Sequence, residues 1–343
     1  MTLPRVLVVS LGGTITMTGG GPGGIVPTLN ADDLIASVPQ LALVARLEAV
    51  TRFSLPGACL SVDKLIDVAQ LLRDRFATGI DGAVVIQGTD TIEDTAFVLD
   101  VLLGPGRPVV VTGAMRGPQA AGADGPANLL AAVTVAGSPH LKGMGAVVVL
   151  NDEIHAARWV QKCDTSLTSA FKSPGAGRLG VVVEGSVELL MAPPTSLCPF
   201  LPPLLSSGAT GKLASVAQVS LGLGEDGRLL PALSNLGYTG AVIEGMGAGH
   251  VPAAAVDAVA ALIAQMPVVL CTRVRAGRVF TKTYGFPGSE IDLIARRVIA
   301  CGQLSASKAR LLLTLLLTAG ATRDRIYDAF RATTPRCKSN ESN

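Results

Sequence analysis

The stretch Gln87-Gly88-Thr89-Asp90-Thr91-Ile92-Glu93-Asp94 sets two hydroxyls and three carboxylates directly after the apolar run Ala83–Ile86. A second stretch, Ser10-Leu11-Gly12-Gly13-Thr14-Ile15, places a hydroxyl behind two glycines, which let backbone N–H groups approach a ligand. A threonine hydroxyl is a poor nucleophile until a base takes its proton. Lysine can be that base when a polar or positively charged setting lowers its pKa, and Lys162 is the candidate here. It lies downstream of Asn151-Asp152-Glu153-Ile154-His155 and Arg158. A fourth stretch runs from Thr112-Gly113-Ala114-Met115-Arg116 to Ala123-Asp124-Gly125-Pro126-Ala127-Asn128. Its small residues offer backbone donors near a ligand, and Asn128 reads as a turn or helix cap. Plainer readings stand beside these. Thr89 or Asp90 can cap a helix whose first turn carries Glu93 and Asp94, and Lys162 can be a solvated helix residue.

Other chemistries are poorly served. The Gly-Gly turn lacks both G-x-G-x-x-G spacing and a following Gly-Lys-Ser/Thr, and no G-x-S-x-G elbow is present. His140, His155 and His250 form no close pair, and the six cysteines (59, 163, 198, 271, 301, 337) form no C-x-x-C. No metal site and no cofactor are therefore expected. Cys163 beside Lys162 reads as a simple buried thiol, and Trp159 as a packing residue.

Those candidates need strands to hold them. Val6–Ser10, Gly82–Gln87, Val109–Thr112 and Ala146–Leu150 are short runs rich in branched residues, each bounded by glycine or polar residues. Between them, residues 63–76 carry Leu65, Ile66, Ala69, Leu72 and Phe76 at helical spacing, and 93–103 and 128–136 also read as helices. Alternation of this kind predicts an α/β fold with a doubly wound, mostly parallel sheet, whose ligands sit beyond the carboxyl ends of the strands. Prolines 193, 194, 199, 202 and 203, followed by Ser206-Ser207-Gly208, mark a linker. The expected division is an N-terminal domain over 1–190, a linker over 191–212 and a smaller C-terminal α/β domain over 213–343, with strands at 240–244 and 268–272, helices at 253–265 and 305–318, and a frayed tail.

The 343 residues carry 28 Lys+Arg and 26 Asp+Glu, a formal charge of +2, with 49% hydrophobic and 16% charged residues. A chain this apolar can bury a large core, and its balance lacks the basic excess of a nucleic-acid binder. No apolar run reaches the ~18 residues of a membrane span. The start, Arg5 followed only by Val6–Val9 before Gly12, reads as a first strand and not a secretion signal, so a cytoplasmic protein is expected.

Leu11-Gly12-Gly13-Thr14-Ile15, Gln87-Gly88-Thr89-Asp90-Thr91-Ile92-Glu93-Asp94-Thr95, Val111-Thr112-Gly113-Ala114-Met115-Arg116, Ala123–Leu129, Asn151–His155 and Lys162 resemble, in order and spacing, the signatures of the bacterial-type L-asparaginase/glutaminase family. A weaker match continues through Gly245–Gly249, Tyr284–Glu290 and Lys308-Ala309-Arg310. The resemblance implies a cofactor-free amidohydrolase acting on the side-chain amide of L-asparagine or L-glutamine. It implies a homo-oligomer, a dimer of dimers, with a small-molecule amide as its only ligand class. It assigns Thr14 as nucleophile and Thr89, Lys162 and Asp90 as the second catalytic group, with Asp90 also holding the substrate's α-amino group. It brings Glu290 to that amino group from a neighbouring subunit, and it puts Gly57, Gly88 and Ala114 against the substrate. Backbone N–H groups of Thr89 and near Ala114 would face the oxyanion.

The sequence also departs from the family. The segment after Thr14 has no tyrosine and offers Ile25 instead, Gly57 stands where a carboxylate-binding serine is expected, Ala248 replaces an asparagine, and Gln87 a frequent histidine. Gly19-Gly20-Gly21 and Gly23-Gly24 read as a flexible gate. A lost hydrogen bond at a charged group is worth ~1.5–3 kcal/mol, enough to move substrate preference. Two alternatives therefore stay open: the same chemistry on a non-standard amide, lactam or cyclic imide, and a non-catalytic amino-acid binder.

Overall fold

The computed structural model describes residues 2–21, 24–27, 29–194, 196–200 and 212–334, with the side chains of Thr14, 17–21, 24–27 and Cys198 outside that description. Most of the expected linker (201–211), the tail beyond Thr334, and the side chains of the glycine-rich gate region fall outside the described residues. The chain separates into two compact units, Met1–Cys198 and, in the main, Ala209–Asn343.

The first unit contains β1 (Arg5–Ser10), β2 (Met17–Gly21), β3 (Gly24–Pro27), α1 (Ala31–Ala36), α2 (Leu41–Val44), β4 (Arg46–Thr51), α3 (Val62–Ala77), β5 (Gly82–Ile86), α4 (Ile92–Leu103), β6 (Val109–Thr112), α5 (Gly125–Gly137), β7 (Ala146–Leu150), β8 (Glu153–Ala156), β9 (Gln161–Lys162), β10 (Phe171–Lys172), β11 (Gly180–Val183) and β12 (Ser186–Leu189). Eight strands form one sheet in the order β12-β11-β8-β7-β6-β5-β1-β4. From β4 to β7 all neighbours are parallel, and β8, β11 and β12 extend the sheet antiparallel. The central strands are apolar throughout because both faces are covered. Val6, Val8, Val84, Ile86 and Val110 pack with Leu34, Leu41 and Leu129 of α1, α2 and α5. On the opposite side α3 and α4 bury Leu65, Ile66, Ala69, Leu72, Phe97 and Leu99.

The order β4-β1-β5 matters for function. The chain leaves β1 for a strand on one side and later returns to pair β5 on the other. The ends of β1 and β5 therefore flank the topological switch point, where a crevice opens in a doubly wound sheet. Both threonine-bearing loops follow these two strands.

The second unit contains β13 (Val216–Ser220), α6 (Ala232–Asn235), β14 (Gly240–Gly245), α7 (Val256–Gln265), β15 (Val268–Thr272), α8 (Glu290–Ala295), β16 (Ile299–Ala300), α9 (Ala306–Thr318) and α10 (Arg323–Arg331). Its four strands form a parallel sheet in sequence order. The architecture is thus a large, mostly parallel α/β sheet and a second, smaller α/β unit. Among the described residues, no helix is long and apolar enough to cross a membrane.

Candidate active site

Glycines bring the strand-end loops together. Gly12 and Gly13 have φ of 106° and 91°, a left-handed backbone that glycine adopts without strain. A Cβ on Gly13 would lie 1.9 Å from the Gly88 nitrogen, so the loops after β1 and β5 touch backbone to backbone. A Cβ on Gly57 would lie 2.9 Å from the Gly88 carbonyl oxygen, and one on Gly113 2.4 Å from the Gln87 carbonyl oxygen. Three loops therefore converge on residues 87–88 of the fourth. Thr14 and Thr89 each follow directly from the Gly13–Gly88 contact. The Thr14 backbone opens a 3₁₀ turn over Thr14–Thr16, fixed by the Thr16 N–H and Oγ1 donating to the Gly13 carbonyl at 2.9 and 2.7 Å.

Thr89 opens a second 3₁₀ turn, Thr89–Thr91, just ahead of α4. Neither Thr89 nor Asp90 caps that helix. The N-cap is Thr91, and its side chain makes no capping bond. Instead Thr91 Oγ1 donates to the Gly57 carbonyl at 2.9 Å and accepts from Gln87 Nε2 at 3.0 Å. Thr89 is left to face Lys162, whose Nζ donates to Thr89 Oγ1 at 2.9 Å and to Asp90 Oδ1 at 3.2 Å.

Lys162 is not a helix residue. It sits on the two-residue strand β9, paired with Phe171 of β10. Its backbone N–H donates to Glu93 Oε2 at 3.1 Å. The Lys162 side chain is 18% exposed, whereas Asp90 is 64% exposed. This ion pair crosses from a mostly buried threonine to solvent. The amine is within hydrogen-bond reach of the Thr89 hydroxyl, the distance that proton transfer between them requires, and Asp90, paired with Lys162, lies open to solvent.

The next loop is held from behind. Asp124 accepts from the N–H groups of Met115 and Arg116 at 3.0 and 2.9 Å. Asn128 Nδ2 donates to the Gly113 carbonyl at 3.0 Å and to Asp124, while its Oδ1 accepts from the Asn151 N–H at 2.9 Å. Asn128 thus works as a strut between strand ends, and Ala114 is buried behind the loop.

The Asn151–His155 stretch is scaffold. Asn151 and Asp152 have φ of 53° and 57° and form the two-residue turn between β7 and β8, where asparagine and aspartate tolerate that conformation. His155 is buried, with Nδ1 2.9 Å from Ser173 Oγ and Nε2 3.5 Å from Glu153 Oε2. Burial depresses its pKa to about 4, against the opposing pull of Glu153. Burial acts to raise the Glu153 carboxyl, but bonds from Lys172 and Arg178 at 2.9 and 2.6 Å outweigh it and hold it below the usual range.

Glu290 belongs to the second unit and opens α8. It is fully buried. Its Oε1 accepts from the Thr283 and Tyr284 N–H groups at 2.9 and 2.8 Å, and Oε2 lies 3.1 Å from His250 Nε2. Burial works to raise its pKa, and the Tyr284 and Thr283 amides with His250 overcome that, leaving it below normal. His250 in turn meets the rings of Tyr284 and Phe286 edge-on at 4.9 and 5.2 Å.

Sequence reasoning missed three positioning residues: Gln87, Thr91 and Glu93. The sequence offers Thr89 or Asp90 as the cap and Glu93 as a favourable first-turn acid, and only the fold reveals the partners of Gln87, Thr91 and Glu93. Among the described residues, no group of three or more His, Cys, Asp or Glu could hold a metal ion.

Comparison with known proteins covers nearly the whole chain. The family profile "Asparaginase, N-terminal" matches residues 5–195, and "Glutaminase/Asparaginase C-terminal domain" matches 215–330. An L-asparaginase of Bacillus licheniformis is 33% identical over 332 residues, 95% of this chain and 98% of that protein. A glutaminase-asparaginase of Pseudomonas aeruginosa is 31% identical, covering 92% of this chain and 87% of its own length. The crystal structure of a probable cytoplasmic L-asparaginase from Campylobacter jejuni superimposes with a TM-score of 0.86 at 31% identity, over 96% of this chain and 99% of that one.

Proposed function

The chain belongs to the asparaginase family, and from that premise we propose that it hydrolyses the side-chain amide of L-asparagine or L-glutamine to the acid and ammonia. The observation that carries this reading is the hydrogen-bonded array Asp90–Lys162–Thr89 at the switch-point crevice. Thr14 Oγ attacks the amide carbon. Its proton passes by way of Thr89 and Lys162 to the departing nitrogen, and ammonia leaves an acyl-threonine. Water then attacks the ester, returns a proton to Thr14 and frees the acid. Backbone N–H groups of Thr89 and beside Ala114 face the oxyanion in both steps. Asp90, exposed beside Lys162, meets the substrate's α-ammonium, and Gly57 and Gly88 line the site as bare backbone.

The chemistry takes no cofactor. The working unit is a homo-oligomer in the cytoplasm, in which Glu290 of one copy reaches the substrate of another. The domains are 1–190 and 213–343, joined by the linker 191–212.

A second reading has its own support. Gly57 packs against Gly88 so closely that no side chain fits there without a backbone shift. The wall where a hydroxyl would hold an α-carboxylate is therefore bare, which favours amides without a free carboxylate, lactams and cyclic imides included. Ammonia release from L-asparagine, L-glutamine, their D forms and primary amides with a blocked α-carboxylate separates the two, with amine release from N-substituted amides and ring opening of lactams and imides followed independently. Turnover of L-asparagine at low-millimolar or tighter KM supports the first reading. Silence on both amino-acid amides together with turnover of blocked amides supports the second.

A further inference from the structure

In the second unit a cleft of about 360 Å³ opens at the amino ends of β15 and β16, the opposite end of that sheet from its loop-bearing carboxyl edge. Three helix ends meet there: the last residues of α7 and α8 and the first of α10. The floor is apolar, with Met266, Val268 and Ile299 buried and Ile294 half-buried. The rim carries Arg297, Arg323, Asp324 and Tyr327. Arg323 Nη2 donates to the Ile263 carbonyl at the end of α7, at 3.0 Å, which fixes that guanidinium across the rim.

Arg297 is the unusual residue. It follows α8 at φ 74°, a position glycine fills without strain and a long side chain rarely occupies. Arg296, its neighbour, pairs with Asp292 at 2.9 Å, so that acid is already taken. Among the described residues the side chains of Arg297 and Asp324 make no hydrogen bond or ion pair. A strained backbone thus presents an uncommitted guanidinium to a cleft that also holds a second guanidinium, an uncommitted carboxylate and an apolar floor.

We propose that this cleft binds an α-amino acid with an apolar side chain. Arg297 and Arg323 take the carboxylate, Asp324 takes the ammonium, and the floor takes the side chain. Two guanidiniums on one carboxylate give charge-assisted bonds, and the cleft's size suits a single small molecule.

Calorimetric titration of the full chain tests this with L-phenylalanine, 3-phenylpropionate, which lacks the ammonium, and phenethylamine, which lacks the carboxylate. One L-phenylalanine should bind per chain, at least about tenfold tighter than either analogue. R297G should weaken it by about tenfold or more with the melting temperature unchanged or raised, because glycine relieves the left-handed backbone. K162M should leave binding intact, and excess L-aspartate should not displace the ligand. No binding at about 10 mM, equal affinity in R297G, or displacement by L-aspartate would each overturn the proposal.

Discussion

The His155 imidazole should stay neutral far below the pH at which an ordinary histidine charges. It is 2% exposed, and burial lowers its pKa from 6.5 to about 4. Glu153 pulls the other way, while Lys172 and Arg178 press in the same direction as burial. In the unfolded chain the ring returns to its usual value, so between pH 6.5 and 4 the unfolded state binds the extra proton. Stability from this group is therefore full above pH 6.5, declines as pH falls toward 4, and levels off below it. A gap of this size is worth about 3 kcal/mol at about 1.4 kcal/mol per unit. The chain has only three histidines, so NMR of labelled imidazoles, assigned with single His→Gln variants, can follow each one. His155 should show a midpoint near 4, and His155→Gln should lose about 3 kcal/mol less stability than the parent between pH 7.5 and 4. A His155 midpoint near 6.5, or an unchanged loss in the variant, refutes the reasoning.

Gly57→Ser should destabilise the protein by about 1–3 kcal/mol in denaturant unfolding, because its Cβ meets the Gly88 carbonyl, and it should not tighten KM for L-asparagine. Asn128→Ala should cost about 2 kcal/mol, since the Gly113 carbonyl and Asn151 N–H lose their shared partner. In the same variant kcat should fall more than stability explains, because the loop at Ala114 loses its strut. Glu93→Ala should lower kcat while leaving Thr89 in place, as the Lys162 backbone loses its anchor. Restoration by Glu93→Gln, which keeps an acceptor oxygen, separates positioning from a charge effect.

The strands and helices around the site were legible because each buried strand is a run of branched apolar residues closed by glycine or polar residues. Val109–Thr112, Ala146–Leu150 and Val268–Thr272 match their expected bounds. Helix starts were less legible. Asn128 lies within α5, which begins at Gly125, because Pro126 sits in its first turn where its missing N–H costs nothing. Lys162 could not be placed from periodicity, since a two-residue strand leaves no pattern. The Asn151–His155 stretch reads as possible chemistry because it is polar beside a strand. Its polarity comes from a tight hairpin and from an ion cluster in which Glu153 and His155 meet the half-exposed Lys172 and Arg178. The convergence of Gly13, Gly57, Gly88 and Gly113 is likewise invisible in sequence, for it depends on which loops the sheet order makes neighbours.

Amide hydrolysis driven by a lysine-activated threonine array makes Lys162 indispensable to turnover. The most direct test is kcat for ammonia release by Lys162→Met beside the parent protein, on whichever amide the parent turns over, with folding checked by melting temperature. Removing a group that moves the reacting proton should lower kcat by about 10²–10⁴ with the fold retained. A folded Lys162→Met protein that turns over at the parent rate would contradict the claim.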